Sequence, residues 1–202
     1  MDAQERRIKL TKAVAQKRDT ELQRLLRDNK SSGCNHESDL RAILGKAISI
    51  GYENGVRLLL DAGARIKGVG SKGPLHSAIA NTNDKTKNAI ISLLLNHGCE
   101  LEAKDGAGRT QLIYACLRGH NDVIINLLGR GADPNIEDQS GKDPLQIMAS
   151  ESKRNTEWCT QALLKLLPKI KDLNKRDSEG REVGRLFFGR PQEANWRWLE
   201  HC

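Results

Sequence analysis

Aromatic residues are scarce in this chain: Phe, Trp and Tyr together make up 3% of its 202 residues. Large rings usually carry much of a globular core, so this core has to come from Leu, Ile and Ala packed helix on helix. Cysteine is present but unorganised. The five cysteines are widely separated and include no Cys-x-x-Cys pair, which argues against a disulfide framework and against a structural zinc site. Reduced thiols suit a cytoplasmic or nuclear protein. The longest apolar stretches, such as that around Leu93-Leu94-Leu95, fall far short of the ~20 residues that span a bilayer. The opening Met1-Asp-Ala-Gln-Glu-Arg-Arg7 lacks the apolar region of a signal peptide. No Ser or Cys stands with His and Asp in a nucleophile setting. Catalysis, a cofactor and a bound metal are therefore not expected.

What the chain does have is repetition. Residues 105–138 read Asp105-Gly-Ala-Gly108-Arg109-Thr110-Gln111-Leu112-Ile113-Tyr-Ala115, then Gly119-His120-Asn-Asp122, Leu127-Leu128 and Gly131-Ala132-Asp133-Pro-Asn135. Leu112, Ala115 and Cys116, then Ile124, Leu127 and Leu128, recur at helical spacing, so two short helices each carry one apolar stripe. Gly119 and Gly131 stand where those helices must stop. Helices this short are not stable alone, and the unit needs neighbours like itself to bury its face. The stretch resembles the ankyrin repeat, a 33-residue turn and helix pair with a Thr-Pro-Leu-His-x-Ala signature. Only Gln111 and Ile113 depart from the signature tetrapeptide.

With Leu112 as the register mark, equivalent leucines stand at Leu10, Leu44, Leu75 and Leu145, and Gly184 takes the place in a sixth, degenerate copy. The expected architecture is thus an all-α ankyrin-repeat solenoid with short β-hairpin turns, one domain over residues 1–202. Its units run about 3–36 (a charged N-terminal cap), 37–67, 68–104, 105–137, 138–176 and 177–202 (a C-terminal cap with Trp196 and Leu199). Extra polar residues within Asn81–Asn88 and near Glu151–Trp158 are expected to lengthen helix–helix turns at little cost.

Several isolated motifs are better explained by this repeat than by chemistry. Gly68-Val-Gly70-Ser-Lys72-Gly73 matches Gly-x-Gly-x-x-Gly but falls between repeats, not after a buried strand, and reads as a hairpin. Cys34 and His36 form a single loop pair, too few for zinc. Cys116 and Cys99 fall at packing positions. The resemblance implies that His76 and His120 brace turns, and Asp133 and Asp172 read as turn residues.

The net charge of +7 and pI near 9.3 raise the question of where the cations lie. The residue three before each register mark is basic in every unit: Arg7, Arg41, Lys72, Arg109, Lys142 and Arg181. Stacked repeats would bring these positions about 10 Å apart, on what the resemblance implies is the concave face. Lys46, Arg118 and Arg185 extend the row. Such a row either solvates an edge or forms a groove for an acidic partner, and the sequence leaves both open. The expected contact surface is Arg41, Lys46, Lys72, Arg109, Arg118 and Lys142, with Gly106, Ala107, Gln139 and Ser140 at the turns. Arg109 and Lys142 are expected at the surface, where charge reversal leaves stability nearly intact. The resemblance implies a non-catalytic protein-interaction module (adaptor, scaffold or regulatory subunit). The alternatives are nucleic acid on the same positive face, against which the lack of basic–aromatic interleaving argues, and a structural subunit docking through Phe187-Phe188 and Trp198.

Overall fold

Short helices ending at glycine dominate because each apolar stripe is only two or three turns long. The computed structural model describes residues 3–31, 37–66, 73–80, 84–151 and 160–172, with Arg176 and Gly180. The sixth expected unit, Lys72 and the Gly68–Gly73 pattern (save Gly73), Cys34 with His36, and most of the Glu151–Trp158 insertion lie outside these residues. In chain order the helices are α1 (Ala3–Ala15), α2 (Asp19–Ser31), α3 (Glu37–Ser49), α4 (Glu53–Asp61), α5 (Pro74–Ala80), α6 (Asp84–Asn96), α7 (Gln111–Arg118), α8 (Asn121–Gly129), α9 (Pro144–Glu151) and α10 (Thr160–Leu166), followed by a 3-10 turn at Leu167–Lys169. Among the described residues no helix is long and apolar enough to cross a membrane.

The backbone falls into two units, residues 1–103 and 104–202. In the first, α1, α3 and α5 pack in one row and α2, α4 and α6 in a second, each helix also meeting its hairpin partner. Leu10, Leu44 and Leu75, the register leucines, are buried together with Ala13, Val14, Ile48 and Leu59. The outer row is tied by polar bonds as well. The Tyr52 hydroxyl donates to Asp19 at the start of α2, and Asn54 Nδ2 donates to the other oxygen of that carboxylate at 3.0 Å. Burial, then this bond to Asp19, pushes the Tyr52 phenol well above its ordinary pKa.

The second unit repeats the plan, with α7 against α8 and α9, and α8 against α10. Leu112, Leu127 and Leu145 are buried as their register requires. In α7 six consecutive residues, Gln111 to Cys116, are buried, more than one stripe, because α8 and α9 cover different sides of it. Its end shows how the repeat turns. Gly119 takes φ 69°, its N–H bonds the Cys116 carbonyl, and the His120 N–H bonds that of Ala115; this is the left-handed helix stop that glycine adopts without steric cost. The first helix pair makes the same two bonds, from Lys17 and Arg18, with Lys17 at φ 53°.

One expectation is corrected here. The extra residues within Asn81–Asn88 do not simply lengthen a turn. Helix α6 has 13 residues against 9 in α8, so the addition is taken up largely as helix. Thr86 Oγ1 on this added turn bonds the Gly51 carbonyl at 3.2 Å, and Lys87 is buried.

Candidate partner-binding groove

Two successive turns, here called fingers, precede α7 and α9. Finger 4 spans residues 105–109 and finger 5 residues 138–142. Each is closed by a backbone pair: Asp105 N–H to the Arg109 carbonyl and Asp138 N–H to the Lys142 carbonyl, both at 3.0 Å. Each is also wrapped around its own aspartate. Asp105 Oδ1 accepts the backbone N–H of Ala107 at 2.9 Å and of Arg109 at 3.0 Å. Asp138 Oδ1 accepts those of Ser140 at 2.8 Å and Lys142 at 3.1 Å, with the Ser140 hydroxyl at 2.7 Å. These are Asx turns, in which a short carboxylate stands in for a backbone acceptor.

The fingers are joined side to side by the Gln139 N–H bonding the Ala107 carbonyl at 3.1 Å. That approach needs glycine at position 108. Gly108 has φ 73°, and a Cβ there would meet the Gln139 backbone nitrogen at 3.0 Å. Below the fingers, Thr110 caps α7 by accepting from Ile113 N–H at 3.4 Å. Asp143 and Gln146 cap α9 reciprocally: Asp143 Oδ1 accepts the Gln146 N–H at 2.8 Å, and Gln146 Oε1 accepts the Asp143 N–H at 2.9 Å. The caps fix where each finger hands over to its helix.

The two fingers differ in one respect. In finger 4, Asp105 Oδ2 also accepts from Arg109 Nε at 2.9 Å and Nη2 at 2.7 Å. The Asp105 side chain is 1% exposed and that of Arg109 27%. Burial by itself raises the Asp105 pKa; the Arg109 guanidinium, with the backbone N–H groups of Arg109 and Ala107, overrides it and pulls the carboxyl down to about 2. The guanidinium carbon of Arg109 also lies 5.6 Å from the centre of the buried Tyr114 ring, and Arg118 lies 5.4 Å from it. Arg118 Nη2 donates to the Tyr114 hydroxyl at 3.2 Å. Arg109 is thus bound into the fold, which corrects its expectation as an exposed contact cation. In finger 5 the matching residue, Lys142, is half-buried, and the Asp138 carboxylate takes its backbone N–H.

Between the fingers and the inner helices lies an open groove of about 430 Å³. Ala107, Arg109, Gln139, Ser140 and Lys142 border it, all of them expected at the contact surface, together with Asp138. Its floor is Leu117 of α7 and Ile147 and Ser150 of α9, which the sequence reading did not single out. Gly106 and Arg118 belong to the same unit and are exposed, while Arg41 and Lys46 are exposed on α3 of the other unit. Arg7 is ion-paired with Asp39 at 3.5 Å. Lys72, Arg181 and Arg185 lie outside the described residues.

Charge counting misleads at this site. Residues 104–151 hold five Lys and Arg against seven Asp and Glu, so the chain's positive excess is not here. Four of those acids are nonetheless spent on backbone or side-chain N–H groups: Asp105, Asp133, Asp138 and Asp143. Bonds from the Asn135 side chain and then its backbone hold the Asp133 carboxyl below its usual range, in keeping with a turn residue. Within each finger the carboxylate holds the N–H groups of its own turn. The aspartate four residues before each of Arg109 and Lys142 was the sequence signal for this arrangement. Of the other residues singled out, Cys116 is fully buried and burial drives its thiol pKa up. Cys99 is half-buried and is pushed up to about 11, first by burial. Both are poorly nucleophilic in these settings. His76 is buried, and His120 stands at the start of α8.

A family model described as ankyrin repeats (3 copies) matches residues 75–177, just over half of the chain. Among curated proteins, an ankyrin and IPT/TIG repeat-containing protein of Schizosaccharomyces pombe is 42% identical over 60 residues, which is 30% of this chain and 5% of that protein. Ankyrin repeat domain-containing protein 63 of Mus musculus is 29% identical over 109 residues, 52% of this chain and 28% of the relative. The BCL-6 corepressor-like protein 1 of Mus musculus is 32% identical over 72 residues, 36% of this chain and 4% of that protein. The chain spans less than a third of the length of each of these relatives.

Proposed function

The chain belongs to the ankyrin-repeat family, and from that premise we propose that it is a non-catalytic protein-binding module whose fourth and fifth repeats take a partner segment along the finger groove. Ankyrin repeats are generic protein–protein interaction modules. The observation that carries this reading is the groove itself: residues from two fingers and two helices border one open space of about 430 Å³. That is near the lower end of the roughly 300–1,000 Å³ typical of binding pockets, enough for one or two side chains of a peptide. The fingers are pre-organised by their Asx turns and the bond between them, so binding orders little new backbone. Arg109 and Lys142 on the groove border favour an acidic segment, which long-range attraction would speed toward the site.

The test is a photo-cross-linking residue placed at Ser140 on finger 5 and, separately, at Asp122 on the exposed side of α8. Adducts with partner protein are expected from Ser140 and not from Asp122. Adducts from Asp122 alone would move the interface off the groove.

A further inference from the structure

The first unit, residues 1–103, carries a groove of its own between α2 and α4. It encloses about 220 Å³ and is bordered by Gln23, Leu26 and Arg27 of α2 and by Leu58, Asp61 and Ala62 at the end of α4. Each helix thus offers the same i, i+3, i+4 ridge. Two features set this groove apart from solvated surface. The first is Leu58. The place just before the buried leucine pair of a second helix is Arg24 in α2 and Asn126 in α8, so the fold does not require an apolar residue there. In α4 it is a leucine that stays half-buried. The second feature is charge. Arg27 and Asp61 are both exposed and border the groove from opposite helices. Among the described residues neither side chain makes a hydrogen bond or an ion pair. The other cation of α4, Arg57, is already paired with Glu53 at 2.9 Å.

We propose that the α2–α4 groove docks an amphipathic helix of a partner protein. One aliphatic side chain of that helix sits on Leu26, Leu58 and Ala62, a carboxylate on one flank meets Arg27, and a Lys or Arg on the other meets Asp61. The volume is below the roughly 300–1,000 Å³ of small-molecule pockets, so the groove anchors a side chain and does not enclose a ligand. A helix fits because its own i, i+3, i+4 ridge packs between two ridges of the same spacing, and an amphipathic helix in an apolar groove is a recurring mode of recognition. Opposite charges on the two banks select opposite charges on the two flanks. A nucleic acid or an anionic membrane would be drawn to Arg27 but repelled by Asp61. This surface stands independently of the finger groove, because none of its residues borders that groove.

The test uses the full chain and labelled helical peptides of about 15 residues, bridged on the far side because free helices of that length are marginal. Each carries a central Leu flanked by Glu and Lys, by two Glu or by two Lys. Fluorescence anisotropy gives affinity, and methyl NMR shifts at Leu26 and Leu58 give location. The mixed peptide should bind about tenfold more tightly than either like-charged one, the combined effect of two partly exposed ion pairs, and should shift both leucines. Asp61→Lys should move the preference to the peptide with two Glu, and Arg27→Glu to the peptide with two Lys. Both substitutions are at exposed positions, so the melting temperature should barely change. Leu58→Asn, which installs the residue type found at this place in α8, should weaken the mixed peptide about tenfold. If Leu58→Asn melts early, the two charge variants still decide the matter. The proposal is overturned by equal affinity for the three peptides, by an unchanged preference in Asp61→Lys and Arg27→Glu, by shifts confined to Leu117 and Ile147 of the finger groove, or by no binding up to about 1 mM. None of these outcomes bears on the Ser140 cross-link, which tests the finger groove alone.

Discussion

Fingers 4 and 5 share a backbone but divide the work. Both are closed by the same 3.0 Å backbone bond and both wrap an aspartate. Finger 4 adds a guanidinium that locks onto a buried carboxylate, whereas finger 5 has a lysine and a serine at the corresponding places. The difference teaches that one repeat position carries a guanidinium locked onto a buried carboxylate in one copy and, in the next, a lysine whose backbone N–H meets its aspartate. Arginine suits the first role because its planar fork can saturate a carboxylate and still lie on a ring. A single positive row treated as one functional surface misses this division.

Removing the aspartates should expose the contrast most strongly. Asp105→Ala leaves a half-buried guanidinium and two backbone N–H groups unsatisfied and should cost about 3 kcal/mol. Asp138→Ala removes only turn bonds and should cost about 1 kcal/mol, like the loss of a helix cap. Denaturant midpoints at constant slope measure both; equal losses would make the fingers equivalent.

Acid should separate them next. The folded-state pKa of Asp105 is about 2, below the ordinary value near 4. Its ionised form is therefore favoured by folding. The resulting stability, about 2 kcal/mol, is fully present above pH ~4 and is lost as pH falls toward ~2. In the Asp105→Asn variant that portion of the pH slope should vanish, so stability curves of the two proteins should converge at low pH. Parallel curves would show that Asp105 is not the group titrating.

A smaller effect tests the same contrast at the helix–helix turns. Lys17 holds at φ 53° the left-handed stop that Gly119 holds at φ 69°. A side chain in that conformation costs roughly 1 kcal/mol, so Lys17→Gly should stabilise the chain by somewhat less, after the extra entropy of glycine. A thermal melt should show a rise; a fall would mean that the Lys17 side chain contributes more than its backbone strain costs. The smallest effect belongs to finger 5: Ser140→Ala loses one exposed hydroxyl bond to Asp138 and should change stability by at most about 0.5 kcal/mol, in contrast to Arg109→Lys, which loses the paired bonds to Asp105. A melt of Ser140→Ala that falls as far as that of Arg109→Lys would make the two fingers equally critical to the fold.

The sequence by itself determined the repeat period, the register leucines and the helix stops. All are local signals. Leu112 and Leu127 mark buried faces and Gly119 a stop; each is set by backbone geometry within a turn or two of the residue. Gly106, Ala107, Gln139 and Ser140 were legible as turn residues for the same reason. Only the tertiary structure decided what those local signals mean. Asp105 and Asp138 each stand four residues before a cation, and nothing in that spacing says that one carboxylate is buried and saturated. Burial depends on what packs over finger 4, including the Gln139 N–H that reaches Ala107. Likewise, α6 begins at Asp84, where Thr86 bonds the distant Gly51 carbonyl, a contact no local signal announces. Charge on a sequence is a count. Its availability to a partner is set by which N–H groups the fold brings to it.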